Sequence, residues 1–331
     1  MMKLMRSAFV YAVMLCAVIA TSAEAATLMY VANEDDHTVA VVNLDTEEIL
    51  TEIPTGKNPH AIVFAGGKAY VNNRGDEFLT VIDTETLEVS GEIPLEAISF
   101  QLALSPDGET IAVSYKNALM LSLVDVATDT VSTLYLADPP EGDFHEKPMK
   151  HPHWSKDGSS LYVQDNIADR IIKIDVDAGS FSIAAEIFMP GSNHDLVPSN
   201  NDKILYAVNQ NTDMGTSLTV IDAEQNQIIK DIPIPLLDDE AGFGHHGGLT
   251  RNGKTFYFCN EGGYRVTLID TVSLEVRKTL QVGNGAGHAV GTEGGEGGEG
   301  SQDCTPWVIA WSFSIRGRLL WQMGKPKSLL S

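Results

Sequence analysis

An apolar run that ends in Asp or Asn recurs six times, and this recurrence constrains the fold more than any other feature of the chain. The runs are Val41-Val42-Asn43, Val81-Ile82-Asp83, Leu123-Val124-Asp125, Lys173-Ile174-Asp175, Val220-Ile221-Asp222 and Leu268-Ile269-Asp270, spaced by 40, 42, 50, 47 and 48 residues. A Tyr- or Val-rich stretch precedes each one, such as Ala69-Tyr70-Val71-Asn72-Asn73 or Leu205-Tyr206-Ala207-Val208-Asn209. Before most of these lies a tight-turn sequence: Ser105-Pro106-Asp107-Gly108, Ser155-Lys156-Asp157-Gly158 or Arg251-Asn252-Gly253. Asp-Gly and Asn-Gly supply the positive φ that such hairpins need. A further strand follows each Asp. Each unit therefore reads as four short antiparallel strands, a to d from the inside outward. No segment keeps a helical period. Repeated four-stranded units of this length predict an all-β chain folded as a β-propeller; β-solenoid repeats are shorter.

The motif Tyr30-Val31-Ala32-Asn33, with Thr38-Val39-Ala40-Val41-Val42-Asn43 and Ile53-Pro54-Thr55-Gly56-Lys57-Asn58-Pro59-His60, resembles the YVTN-type (YncE-like) propeller repeat. That family is related to the haem d1 domain of cytochrome cd1 nitrite reductase. The resemblance covers roughly residues 27–290 and implies a seven-bladed, secreted or periplasmic disc. Six repeats are recognisable, so the seventh blade is expected to be lost or degenerate. The first unit begins at strand b. Its strand a is expected from the far end, beginning at Gly287-His288-Ala289-Val290.

Residues 1–25 read as a cleaved signal peptide, with Lys3 and Arg6, an apolar stretch from Ala8 to Ala20, and Ala23-Glu24-Ala25 as the cleavage site. The propeller then spans 26–290, in the periplasm or outside the cell. Residues 291–331 differ. A Gly/Glu run ends at Gly300, and the tail beyond it carries Arg316, Arg318, Lys325 and Lys327 against Asp303, with three of the four tryptophans. This abrupt change of composition reads as a frameshifted end or as a linker with an apolar tail.

The chain has 22 basic and 45 acidic residues, a net charge of −23. This balance argues against nucleic acid, whose phosphates need a basic face, and against an anionic membrane surface once the signal is removed. A monomer is expected, with a periplasmic protein as the alternative partner.

Aligning the units on their Asp-Gly turns places His60, Gln101, His151, Asp195, His246 and His288 at one register, the start of strand a, with His194 and His245 alongside. His153 follows His151 two residues on. Strand a is innermost, so these side chains would converge at the mouth of the central channel. Imidazole is the commonest transition-metal ligand, and a cluster suits Cu, Zn or Fe. The candidate ligands are His60, His151, His153, His194, His245, His246 and His288. A haem-type cofactor, an organic ligand and unliganded channel residues remain as alternatives. His37 and His145 read as solvated loop residues.

The longest insertions, Ala137–Met149 and Pro235–Gly244, are acidic and join strand d to the next strand a, so they are expected to overhang the same face. The recurrent Asp83, Asp125, Asp175, Asp222 and Asp270 end strand c on the opposite face and read as turn residues. Asn33, Asn72, Asn209 and Asn260 read likewise. No nucleophile elbow, phosphate-binding glycine loop or C-x-x-C-H motif occurs. The expected function is a redox or metal-handling propeller, with a non-catalytic binding scaffold as the alternative and a lactonase-type enzyme third.

Overall fold

The computed structural model describes residues 26–116, 118–136, 151–211, 215–234, 244–260 and 265–282, with backbone only at 211, 215 and 245. The signal segment, both acidic insertions, His145, His288 and the Gly/Glu run with its tail lie outside these residues.

Six antiparallel sheets follow one another along the chain. Sheet 1 holds β1 (Leu28–Asn33), β2 (Thr38–Asn43) and β3 (Glu48–Pro54). Sheet 2 holds β4 (Pro59–Ala65), β5 (Lys68–Asn73), β6 (Phe78–Asp83) and β7 (Glu88–Pro94). Sheet 3 holds β8 (Ser99–Leu104), β9 (Thr110–Tyr115), β10 (Met120–Asp125) and β11 (Val131–Tyr135). Sheet 4 holds β12 (His153–Trp154), β13 (Ser160–Asp165), β14 (Arg170–Asp177) and β15 (Ser180–Phe188). Sheet 5 holds β16 (Asn193–Pro198), β17 (Ile204–Asn211), β18 (Gly215–Asp222) and β19 (Gln227–Pro233). Sheet 6 holds β20 (Gly244–Leu249), β21 (Thr255–Asn260), β22 (Arg265–Asp270) and β23 (Glu275–Gln281). Each sheet is a simple meander, and sheet 1 starts at its second strand, as the repeat pattern implies. The fold is an all-β propeller with six sheets among the described residues.

Stacking explains the burial pattern. Strands b and c lie between two other sheets, so β5, β9 and β13 are buried on both faces, each around an apolar triplet such as Ala69-Tyr70-Val71 or Leu161-Tyr162-Val163. The outermost strands lose this cover: in β7 and β19 only Ile93 and Ile232 are buried. The core is therefore divided among the sheet interfaces. One cluster joins Val39 and Val41 to Val71 and Ile82. Others join Tyr70 to Ile111, Leu121 to Leu161, Tyr162 to Leu196, and Tyr206 to Phe256. Burial of apolar side chains at each interface stabilises the stack by roughly 25 cal/mol per Å² removed from water. Polar ties cross it too: Tyr70 donates to Asp129 Oδ1 (2.8 Å) and Trp154 Nε1 donates to the Ala103 carbonyl (3.1 Å).

The turns are set by local chemistry. Gly108 and Gly158 adopt φ of 75° and 73°, the left-handed region that favours glycine. Asp83 Oδ1 accepts from the backbone N–H of Glu85 and Thr86, and Asp222 and Asp270 close the same kind of turn. Asp125 accepts from Thr128 (2.8 Å). Such turns account for four of the recurrent aspartates. Asp175 differs, because β14 runs on to Asp177 and pairs Asp175 with Ser182. The asparagines after strand b also differ from a simple turn role. Asn72 is buried and donates to the Phe100 carbonyl on the next sheet (3.0 Å), while Asn209 is buried and bonds Ser217 and Thr219 within its own sheet.

Innermost strands neighbour one another in order, β4 with β8, β8 with β12, β12 with β16 and β16 with β20, and β1, the second strand of its unit, lies beside β4. Four of these strands carry a β-bulge at the same place, between Pro59 and Ile62, Ser99 and Gln101, Asn193 and Asp195, and Gly244 and Gly247. Bulges re-aim side chains at the rims of closed sheets. Here they turn the entry of strand a, where the candidate ligands lie.

Candidate metal site on the innermost strands

Register fixes which residues are equivalent. Phe64, Leu104, Trp154, Pro198 and Leu249 each pair with the second residue of strand b. Counting back three positions gives Ala61, Gln101, His151, Asp195 and His246. His60, Phe100, His194 and His245 stand one position earlier. His60 is thus offset by one from the register read off the sequence. Its Nδ1 pairs with Glu34, on the turn that follows β1.

Sheets 4, 5 and 6 bring four histidines and one carboxylate together. The His151 ring centroid lies 6.1 Å from His153, 5.9 Å from His194 and 5.5 Å from His246, and His194 and His246 are 5.0 Å apart. Asp195 sits among them. Its Oδ2 lies 3.2 Å from His246 Nδ1, and its Oδ1 lies 3.6 Å from His153 Nε2. Backbone N–H groups of Leu196 (2.9 Å) and Gly247 (3.2 Å) also donate to this carboxylate and fix its direction. One ligand atom each from His151, His153 and Asp195 falls within 4.8 Å of the others. Asp195, His153 and His194 are buried, and His151 and His246 are half-buried.

Electrostatics favours a ligating state. Burial pushes the pKa of His151 well below its ordinary value, and the neighbouring His246 charge adds to this against the pull of Asp195. The imidazole is therefore neutral, the form that binds metal. Burial would raise the Asp195 carboxyl, yet His246, by charge and hydrogen bond, with His153 and His151, holds it below the usual carboxylate range. The Asp195 carboxylate and the neutral His151 imidazole are in the protonation states that bind a cation. Cys259 is buried nearby, but burial and the Asp195 charge push its thiol up to about 12, so the donor set is nitrogen and oxygen. Imidazole with carboxylate matches Zn, Cu or Fe chemistry.

His288 lies outside the described residues, as does the side chain of His245. His37 is exposed on its turn, with Nδ1 at 2.9 Å from the Glu34 carbonyl oxygen. Asp195 is the member that a search for histidines alone passes over. Its signal was register: it holds the position of His151 and His246.

No protein-family model matches the sequence, and no curated protein matches it. Solved structures match the fold. Hydrazine synthase of Kuenenia stuttgartiensis superposes with a TM-score of 0.62 at 18% identity, over 77% of this chain and 84% of that one. A functionally unknown protein from Desulfotomaculum acetoxidans gives 0.61 at 13% identity, over 79% and 83%. Dihydro-heme d1 dehydrogenase NirN, in complex with DHE, gives 0.50 at 17% identity, over 77% and 63%. At these identities the likeness establishes a shared propeller-type architecture for this chain.

Proposed function

We propose that this chain is an exported propeller of YVTN type that holds a transition-metal ion on the His151, His153 and Asp195 side chains, with His194 and His246 completing or exchanging into the set. The convergence of those three ligand atoms within 4.8 Å, from the entry of sheet 4 and from β16, carries the proposal. His153 stands on β12 and Asp195 on β16, where strands place ligands more rigidly than loops, and His151 lies two residues before β12. A bound ion would supply Lewis acidity or an electron-transfer centre. The buried His153, His194 and Asp195 keep water from one side of the site, and His151 and His246 are half-buried, an arrangement that suits metal handling.

A tetrapyrrole cofactor is the second reading, favoured by the fold shared with NirN, which binds DHE. The small spacing of the five side chains favours a single ion. Metal analysis of the untagged chain separates the two. Stoichiometric Zn, Cu or Fe without a porphyrin-type absorbance supports the ion. Absence of both, with no binding at micromolar metal, sinks the proposal.

A further inference from the structure

Next to the histidines stands a cation of another kind. Arg74 follows β5, and its guanidinium stacks on the Phe100 ring, with Cζ 4.3 Å from the ring centroid. Its Nε donates to the Phe100 carbonyl (3.0 Å). The two Nη groups donate to no protein acceptor among the described residues. Phe100 in turn meets His151 edge to face, at 6.1 Å between centroids. One aromatic ring therefore separates the guanidinium from the metal cluster.

Several facts make this arrangement unlike an ordinary surface arginine. Burial draws the guanidinium pKa down to about 10 despite the nearby Glu34, so the charge is shielded from water. Glu34 is itself engaged by His60. Gln101, at the His151 register on the adjoining sheet, is buried, and its Oε1 makes no hydrogen bond among the described residues. A planar guanidinium held flat on an aromatic ring, with its Nη edge open, is pre-organised to take a carboxylate by two parallel hydrogen bonds.

We propose that Arg74 forms an anion subsite on the Phe100 platform, beside Gln101, that receives one carboxylate of a small dicarboxylate while the other end reaches the ion at His151. The site would then take up a metal–carboxylate complex, or act on a carboxylate at the metal. The second half of this inference rests on the metal reading; the Arg74 half does not.

Calorimetric titration of succinate, and separately of phosphate, into the full chain tests it, with and without zinc. The native chain is expected to bind succinate more tightly when zinc-loaded. Arg74→Gln is expected to weaken succinate about tenfold while zinc affinity stays within about twofold. Arg74→Lys should recover only part, since an ammonium lacks the planar fork. Should Arg74→Gln fail to fold, Phe100→Leu removes the platform instead and is expected to weaken succinate several-fold. Succinate binding that ignores both variants overturns the proposal, as does no succinate binding by either native form. Phosphate binding tighter than succinate overturns the dicarboxylate class. Arg74-dependent succinate binding by a chain that never takes zinc upholds the subsite and refutes the metal reading.

Discussion

Ala61 and Gln101, on sheets 2 and 3, occupy the strand position that His151, Asp195 and His246 occupy on sheets 4 to 6. The backbone there is nearly the same: in sheets 2, 3, 5 and 6 the innermost strand enters through a bulge. One side of the ring carries a methyl group and an amide. The other carries two imidazoles and a carboxylate, with His153 and His194 adjoining. Structural need keeps four of the five Asp turns alike, and it gives no reason for these five positions to differ. The difference shows that repetition of the fold does not enforce repetition of its chemistry, and on the proposed metal reading the arc of sheets 4 to 6 is the specialised one. On the unspecialised side, the bulge places His60 toward Glu34 and Phe100 beneath Arg74.

The largest expected effect comes from removing the anion that the imidazoles share. Asp195→Ala should lower metal affinity at least about 100-fold, read by competition with a chromophoric chelator. It should also destabilise the metal-free chain by about 3 kcal/mol in urea unfolding, since it strips a buried charge from His153 and His246. Ala61→Gly, at the same register on sheet 2, should leave metal affinity unchanged. Equal losses at both positions would dissolve the contrast between the two arcs.

Acid should act on the specialised arc next. The pKa of His151 is depressed in the folded state, so below its ordinary 6.5 the unfolded chain binds a proton that the folded chain refuses. Stability is then full above about pH 6.5 and is lost as pH falls toward the folded value. Asp195, also depressed, adds a loss of the same sign below its ordinary 3.8. The melting temperature of the metal-free chain should drop between about pH 7.5 and about pH 5.5, and His151→Phe should flatten that slope. An unchanged slope would remove His151 as its source.

A gain-of-ligand change sharpens the comparison from the other side. Gln101→His places an imidazole at the His151 register on the adjoining sheet, and metal affinity should rise a few-fold. The smallest effect belongs to the repeated turns. Asp125→Ala, exposed and bonded only to its own turn, should cost about 1 kcal/mol and leave metal binding within about twofold.

Much of this was legible in the chain. The runs ending in Asp or Asn, the Asp-Gly turns and the Tyr-rich strands give four strands per unit, because hairpin chemistry is local. The inward register of His151 and His246 followed from the same alignment. The offset of His60 did not follow, because a bulge inserts a residue without changing local composition. Nor did the buried tie of Asn72, which reaches the next sheet, or that of Asn209 to Ser217 and Thr219 across its hairpin. Asp195 was visible as a register mate, yet its value as a ligand depends on His153 lying across a sheet boundary. Nothing in the local sequence of Arg74 marks it out, and only the fold places Phe100 beneath it.

The sequence by itself determined the repeat, the strand order within each sheet and the excess of acid, since each depends on residues close along the chain or on simple counts. Only the tertiary structure decided which of the repeated positions meet. Neighbouring innermost strands belong to repeats some 40 to 50 residues apart, and whether their side chains converge depends on bulges and sheet stacking, which no single repeat specifies.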